Sequence, residues 1–205
     1  SHLACSDEPK NTMNKHQLLE FNSLIKRLPR LTASLANSGG IYLGKKFHFD
    51  LVRPGLALYG SVPGHLQNNL KNCISLYGRV LQLREVDKGQ VIGYGGTYKL
   101  PKKSRIATIG VGYADGYQRV LSGSSTVFHR GFPLPLVGRI SMDSITVDIS
   151  SLPDNNLKEG DFVELLGKHF TIDQAASLAQ TVPYEMITGL GRRHYRSYNQ
   201  IKVVL

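Results

Sequence analysis

Arg53 is the only charged residue in the apolar, glycine-containing stretch VRPGLALYG (52–60). A guanidinium is costly to bury without a partner, so the identity of its contacts matters. Gly55 lets the backbone approach a ligand closely, and successive amides at the start of a loop or helix bind phosphate. Arg53 therefore either faces a ligand beside an anion site formed by the Gly55 and Leu56 amides, or extends from a strand end into solvent.

Further polar side chains stand beside glycines in four other stretches. Ser38 of LANSGG fits a second phosphate ligand, although Asn-Ser-Gly also favours an ordinary turn. Tyr94 of VIGYGGTY fits either an exposed side chain in a cleft or a plain strand residue. Asp143 requires a partner if it is buried. The remaining candidates are Tyr113, Asp115 and Arg119 of VGYADGYQR, with Arg139, Met142 and Asp143 of LVGRISMDSITVD.

The chain of 205 residues carries 25 Lys and Arg against 15 Asp and Glu, a net charge of +10. The basic residues are scattered in pairs, such as Lys45 with Lys46 and Lys102 with Lys103. There is no basic arm and no aromatic signature of an RNA-binding sheet. We therefore expect a basic surface that attracts small anions rather than a nucleic acid.

Other classes of protein are also disfavoured. No apolar run approaches the roughly 20 residues that span a bilayer, and the first residues lack the pattern of a secretory signal. Cys5 and Cys73 do not share a metal-binding spacing. The sequence thus predicts a cytoplasmic protein with two unrelated thiols, no metal site and no membrane association.

Residues 1–70 have the alternation of helix and short strands that is typical of a parallel α/β fold. The apolar residues of 11–28 recur at three- and four-residue spacing, which predicts an amphipathic helix that ends before Pro29. Two short strands are predicted next, one over 31–38, closed by two glycines, and another over 48–60, which includes a turn. These are only about two or three βα units, and a closed barrel needs about 250 residues. We therefore expect the last units of a partial (β/α)8 barrel, within a fragment of a larger protein.

Residues 71–205 have the pattern of a mostly antiparallel β domain. Short runs rich in Val, Ile, Leu and Tyr alternate with Gly, Asp and Pro turns. The runs are ISLYGRVLQLREV, QVIGYGGTYKL, SRIATIGVGY, STVFHR, LPLVGRISMDSITVDI and DFVELLG. TIDQAASLAQ (171–180) predicts one short helix capped by Thr171 or Asp173, and 192–205 predicts a final strand.

Six motifs resemble bacterial alanine racemase in their order and spacing: ANSGG, VRPGLALYG, IGYGGTY, GYADGYQR, VGRISMD and PYEMITGL. Together they cover nearly the whole chain. The resemblance implies a pyridoxal 5′-phosphate (PLP) enzyme with a barrel and a β domain, and a homodimer whose active sites are shared across the interface. It also implies an amino-acid substrate, alanine, whose L and D forms are interconverted to supply D-alanine for peptidoglycan.

The resemblance further implies which residues hold PLP. Arg53 would hydrogen-bond the pyridine nitrogen, and His2 would pack near the ring and contact Arg53. The phosphate ligands would be Ser38, the amides of Gly55 and Leu56, and Tyr184.

Other positions match residues that act on or near the substrate. Tyr94 would be the catalytic acid and base from the neighbouring subunit, supported by His2 and Arg53. Met142 and Asp143 would contact substrate across the dimer. The entrance residues would be Asp7, Tyr113, Arg119 and Arg139.

Racemisation suits these residue types. It removes the α-proton and returns a proton to the opposite face, so it needs two bases, which in the family are the tyrosine and a lysine that forms a Schiff base with PLP. A tyrosine has a reference pKa of about 10 and needs cationic neighbours to act as a base at neutral pH. His2 and Arg53 would supply them, and the arginine would leave the pyridine nitrogen unprotonated because it keeps its own proton.

No lysine of the chain stands in a context that matches the family's PLP lysine. We therefore expect these residues alone to be inactive as a racemase. Two alternatives stay open, a non-catalytic truncated module that binds or dimerises, and a serine racemase of the same fold.

Overall fold

A computed structural model describes residues 1–62 and 70–198 of the chain. The chain divides into two compact units. The first unit comprises Ser1–Leu76 and Glu164–Tyr184. The second unit comprises Tyr77–Val163 and the described residues from Glu185 onward.

Helix α1 (Thr12–Ile25) is the longest helix of the described part of the chain. It begins where the Asn11 side chain accepts a hydrogen bond from the Met13 amide, and it ends at the C-cap Lys26. The helix predicted over 11–28 is therefore confirmed, with narrower bounds. Its Leu18 packs into the core of the first unit, a cluster formed by Leu3, Leu18, Leu35, Ala36 and Phe47.

The strands predicted over 31–38 and 48–60 are wrong, because residues 1–62 contain no assigned strand. Segments 31–36 and 50–53 are extended and share only a few backbone bonds, such as Leu51 N to Ala33 O at 3.2 Å. Pro54 has no amide hydrogen and stops this pairing, after which Leu56–Tyr59 forms a 3-10 helix. The parallel strands of the expected partial barrel are thus not seen in this range.

A short helix begins at Ser38, the last residue of the strand predicted over 31–38. Helix α2 (Ser38–Tyr42) contains both Gly39 and Gly40, and Asn37 caps it by accepting the Gly40 amide at 2.9 Å. A Cβ at Gly39 would lie 2.7 Å from the Ser6 carbonyl oxygen, so close packing requires a glycine there. A 3-10 helix, Lys45–Phe47, follows.

The predicted antiparallel β region is confirmed. Its strands are β1 (Leu76–Val86), β2 (Val91–Ile92), β3 (Tyr98–Lys99), β4 (Ser104–Ile109), β5 (Thr126–His129), β6 (Phe132–Pro135), β7 (Ile145–Asp148) and β8 (Phe162–Leu166). Strands β2 and β3 form a separate hairpin sheet, and the other six form one sheet in the order β6-β5-β8-β1-β4-β7. An antiparallel bridge between Leu136 and Val147 joins the chain after β6 to β7, so this sheet nearly closes on itself.

Alternating side chains of these strands form the core of the second unit. The register pairs Ile109 with Ile145 and Ala107 with Val147 between β4 and β7. A bulge between Val80 and Gln82 interrupts the pairing of β1 with β4. Short 3-10 helices at Tyr94–Gly96, Tyr113–Asp115 and Arg119–Leu121 lie in the connections and carry several candidate residues.

The C-terminal part departs from the prediction at two points. Helix α3 (Ile172–Leu178) is confirmed, and its cap is Thr171, which accepts the Gln174 amide. Helix α4 (Pro183–Gly189), over the PYEMITG stretch, was not predicted. The final strand is wrong for residues 192–198, which begin with a turn and form no backbone ladder. The side chains of Arg193 and His194 bond to Asp143 and to the Asp115 carbonyl. The rest of the predicted strand lies outside the described residues.

Across residues 1–62 and 70–198, no helix has the length and apolar character needed to cross a membrane. Within the same ranges, no cluster of three or more His, Cys, Asp or Glu side chains is arranged to hold a metal ion.

Tyr117 provides a test of the second unit's core. It is fully buried, with its hydroxyl bonded to Ser125, and burial raises its pKa to about 12. An unfolded tyrosine ionises near pH 10, so the unfolded state alone gains from ionisation as the pH rises from about 10 to 12. We expect the free energy of unfolding to fall in that window, by roughly 1 kcal/mol at pH 11, and Tyr117→Phe to abolish that fall.

Urea unfolding between pH 8 and pH 11 measures this difference. Tyr195→Phe, which removes a hydroxyl from a side chain that is 96% exposed, controls for the loss of one tyrosine. Equal pH slopes for Tyr117→Phe and the wild type would contradict the assignment.

Candidate functional site

Three consecutive backbone amides, those of residues 55–57, converge on two hydroxyl groups. The Ser38 Oγ is buried at the start of α2 and accepts hydrogen bonds from Gly55 N at 2.9 Å and Ala57 N at 3.2 Å. The Tyr184 hydroxyl accepts from Leu56 N at 2.5 Å. Clustered amide donors beside hydroxyl groups are the ordinary means of holding a phosphate group.

Gly55 makes this convergence possible. A Cβ added at Gly55 would overlap the Tyr184 hydroxyl oxygen. Any residue can adopt the Gly55 φ of −112°. Glycine is therefore required because there is no room for a side chain, not because of the backbone conformation. The Ser38, Gly55, Leu56 and Tyr184 groups, separated widely in sequence, therefore form one cradle within the first unit.

Arg53 has three contacts in the first unit. Its Nη1 donates to Ser34 Oγ, its Nη2 donates to the Ser1 carbonyl at 2.6 Å, and Nη2 lies 3.5 Å from His2 Nδ1. The sequence allowed Arg53 either to face a ligand or to extend from a strand end into solvent. The side chain is half-buried, so neither alternative describes it completely. Arg53 is held by two oxygen atoms and a ring nitrogen rather than by a carboxylate.

His2 connects Arg53 to this cradle of amides and hydroxyl groups. Its Nε2 lies 3.2 Å from Asn37 Nδ2, while Asn37 Oδ1 caps α2, whose first residue is Ser38. The His2 carbonyl also accepts from Gln17 of α1 at 3.0 Å. A chain of contacts thus runs from Arg53 through His2 and Asn37 to the helix that presents Ser38.

Asp7 lies on an exposed loop of the first unit that precedes α1. The Asn14 side chain holds this loop, since its Nδ2 donates to the carbonyls of Cys5 and Glu8, each at 2.9 Å. Asn14 is buried and its Oδ1 has no hydrogen-bond partner among the described residues. No sequence pattern indicated a role for Asn14 beyond its place near the start of a helix.

Tyr94 is 71% exposed and begins a 3-10 helix of the second unit. Gly93 and Gly95 around it have φ values of 76° and 74°, a conformation that favours glycine. A Cβ at Gly95 would lie 3.1 Å from Arg139 Nη1, so the Tyr94 loop lies directly against Arg139. Arg139 and Arg119 also line an open pocket of about 330 Å³.

Tyr113, Met142 and Asp143 lie on two loops that are bonded to each other. Tyr113 N donates to Ser141 O and Ala114 N donates to Met142 O, both at 3.0 Å. The carboxylate of Asp143 accepts from Arg193 Nη2 at 2.7 Å. The sequence required a partner for Asp143 only if it were buried, and this carboxylate is exposed, so its bond with Arg193 does not test that expectation.

Arg193 is a residue of this cluster that the sequence reasoning missed. Besides Asp143, it lies 3.4 Å from the nearly buried carboxylate of Asp115, and the pKa of Arg193 is raised first by the Asp143 hydrogen bond and then by Asp115. The neighbouring His194 Nε2 lies 2.6 Å from the Asp115 carbonyl. The basic pair Arg192 and Arg193 was visible in the sequence, but nothing local indicated its partners.

Two family models match the chain, alanine racemase N-terminal domain over residues 1–63 and alanine racemase C-terminal domain over residues 73–198. The chain belongs to the alanine racemase family. The alanine racemase of Brucella abortus is 49% identical over 97% of this chain and 54% of its own length. The catabolic alanine racemase of Mesorhizobium japonicum is 48% identical over 97% of this chain and 52% of its own. The chain thus spans about half the length of the curated relatives it matches.

Solved alanine racemases share the fold. The enzyme of Bartonella henselae, crystallised with covalently bound pyridoxal phosphate, is 44% identical with a TM-score of 0.89, over 97% of this chain and 55% of that one. The biosynthetic alanine racemase of Pseudomonas aeruginosa is 37% identical with a TM-score of 0.89, over 98% of this chain and 56% of its own. The chain therefore has the alanine racemase fold, with a mostly antiparallel β sheet.

Gly55→Ala should disturb the cradle. The added methyl group would displace the Tyr184 hydroxyl and break its bond with the Leu56 amide, and overpacking of this kind costs about 1–3 kcal/mol. Urea unfolding would measure that loss, and hydrogen exchange at the Leu56 amide would show the broken bond.

Gly191→Ala is the matched control, because a Cβ there meets no atom within 4 Å. If Gly55→Ala unfolded at the same urea concentration as Gly191→Ala, the close approach of Gly55 to Tyr184 would be refuted.

Proposed function

We propose that this chain supplies the PLP-binding residues and one of the two bases of an alanine racemase active site, which interconverts L- and D-alanine. Residues 1–70 would be the C-terminal part of the PLP-binding barrel, and residues 71–205 the C-terminal β domain. The observation that carries the proposal is the convergence of three amides with Ser38 and Tyr184. Family membership supports the reaction.

The cradle fits a phosphate monoester. The amides of residues 55–57 now donate to hydroxyl oxygens, and phosphate oxygens accept the same hydrogen bonds more strongly because they are charged. The hydroxyls of Ser38 and Tyr184 can each donate to phosphate in turn. The absence of a side chain at Gly55 keeps the backbone accessible.

Arg53 fits the pyridine nitrogen of PLP. A guanidinium carries five donors and no acceptor, so opposite a ring nitrogen it can only donate. It also keeps its proton, and the ring nitrogen would remain unprotonated. When bound, PLP takes up the electrons left on the substrate when its α-proton departs. The role of Arg53 is to hold the ring and to limit how strongly it draws those electrons.

Tyr94 would be the base on one face of the substrate, acting from the neighbouring subunit of a cytoplasmic homodimer. Its high exposure leaves its hydroxyl available to another chain. Met142 and Asp143 would lie near the substrate, with Asp143 oriented by Arg193. Asp7, Tyr113, Arg119 and Arg139 would line the entrance, where positive charge attracts the carboxylate of an amino acid.

The lysine that carries PLP in the family has no counterpart that we recognise among these 205 residues. We therefore propose that this chain binds the phosphate and ring of PLP but does not racemise alanine unless that lysine is supplied. The D-alanine made by the complete site would serve peptidoglycan synthesis.

Binding of 4′-deoxypyridoxine 5′-phosphate tests the phosphate cradle. This ligand has no aldehyde and needs no lysine, so calorimetric titration of the chain reports non-covalent binding alone. Ser38→Ala should weaken binding about 10- to 100-fold, since it removes a hydrogen bond to a charged group.

Ser150→Ala is the matched control, because the Ser150 Oγ likewise accepts a backbone amide, that of Arg105 at 2.9 Å. Its affinity for the ligand should equal that of the wild type. Equal loss in the two variants, or no binding by the wild type, would count against the cradle.

Tyr94→Phe tests the second base, in a longer protein that joins this chain to a lysine-bearing segment. Inversion of alanine should fall by about 100-fold or more, since a general base contributes on that order. Exchange of the α-proton with D₂O should continue on the lysine's face, as followed by NMR.

Tyr195→Phe should leave both processes unchanged, and the 205-residue chain with PLP should show neither. Racemisation by Tyr94→Phe at the wild-type rate in both directions would remove Tyr94 from the mechanism.

A further inference from the structure

We propose that Ser34 is a positioning residue that fixes the Arg53 guanidinium for its contact with the cofactor ring. Arg53 Nη1 donates to Ser34 Oγ, and Ser34 Oγ donates to the Leu51 carbonyl at 2.7 Å. The single hydroxyl hydrogen of Ser34 is thereby committed to Leu51, so the serine presents lone pairs to Arg53. The inference rests on the proposed function, which places Arg53 at the pyridine nitrogen.

The backbone around Ser34 holds it at a fixed distance from Arg53. Arg53 N donates to Ala36 O at 2.9 Å, and Leu51 N and Asp50 N donate to Ala33 O at 3.2 and 3.1 Å. The Asp50 carboxylate also accepts from Ala33 N at 2.8 Å. The segments before and after Ser34 are therefore tied to the segment that ends in Arg53, and the hydroxyl is not free to follow a moving side chain.

Ser34 completes the restraint on a planar group. The Ser1 carbonyl and His2 Nδ1 contact Nη2, whereas Ser34 contacts Nη1, so the two terminal nitrogens are held separately. Restraining both nitrogens of a planar guanidinium fixes its plane. The hydrogens left on Nη1 and Nε have no acceptor among the described residues and remain for a ligand.

A hydroxyl at residue 34 also suits the charge of Arg53. An acidic side chain there would hold the guanidinium equally well, but it would form an ion pair and offset the positive charge facing the ring. Serine restrains the group through a neutral hydrogen bond. Arg53 thus keeps its full charge toward the ring nitrogen.

Paired ligands separate ring recognition from phosphate recognition. One is 4′-deoxypyridoxine 5′-phosphate, and the other is its 1-deaza analogue, in which a C–H replaces the ring nitrogen. The wild-type chain should bind the first about tenfold more tightly than the second, as one charge-assisted hydrogen bond predicts. Ser34→Ala should reduce that ratio by about three- to tenfold and leave the affinity for the deaza ligand unchanged.

Two further variants make the readout specific to positioning. Ser34→Thr keeps the hydroxyl and should keep the wild-type ratio, whereas Ser34→Cys offers a weaker acceptor and should lower it, even if Ser34→Ala does not fold. Ser38→Ala should weaken both ligands equally and leave the ratio unchanged.

The outcomes distinguish the inference from the proposed function. A wild-type chain that binds neither ligand would overturn the proposed phosphate cradle and the inference with it. Equal binding of both ligands by the wild type would overturn the ring assignment of Arg53. A normal wild-type ratio that Ser34→Ala and Ser34→Cys both retain would overturn the role of Ser34 alone.

Discussion

The backbone at residues 55–57 approaches Ser38 and Tyr184 so closely that no side chain fits at Gly55. This approach joins segments far apart in sequence, since Leu56 and Tyr184 are separated by 128 positions. The same extended segment carries Arg53, whose contacts with Ser34 and His2 are set by the backbone that also sets the amides. The proposed anion contacts and the proposed ring contact therefore depend on one stretch of chain, so a shift in one would affect the other.

The candidate residues of the two units are held in different ways. In the first unit, neutral hydrogen bonds hold a single cation, Arg53, so its charge remains available. In the second unit, Arg193 bridges two carboxylates, Asp115 and Asp143, and orients two loops. An exposed ion pair contributes little to stability in water, so the value of Arg193 lies in geometry rather than in folding energy.

The sequence predicted those elements whose signal is local. Apolar periodicity located α1, and alternation with turn residues located the antiparallel strands. Prediction from the sequence was wrong where a single residue overrides the apolar pattern. Pro54 ends the backbone pairing of an apolar segment, and the cap at Asn37 begins a helix that contains two glycines. The sequence also did not predict which side chains are hydrogen-bond partners. Ser34 with Arg53 and Arg193 with Asp143 lie 19 and 50 positions apart, and no local pattern specifies such pairs.

The edge strand β6 reads Phe-Pro-Leu-Pro, and the chain beyond it bridges to β7 at the opposite edge of the sheet. Two of the four residues of β6 have no amide hydrogen, and the backbone of β7 is partly occupied by residues 136 and 137. Such a sheet offers a poor template for an additional strand, which protects it against edge-to-edge aggregation. Recognition of this unit by a second chain is therefore favoured through its side chains over extension of the six-stranded sheet.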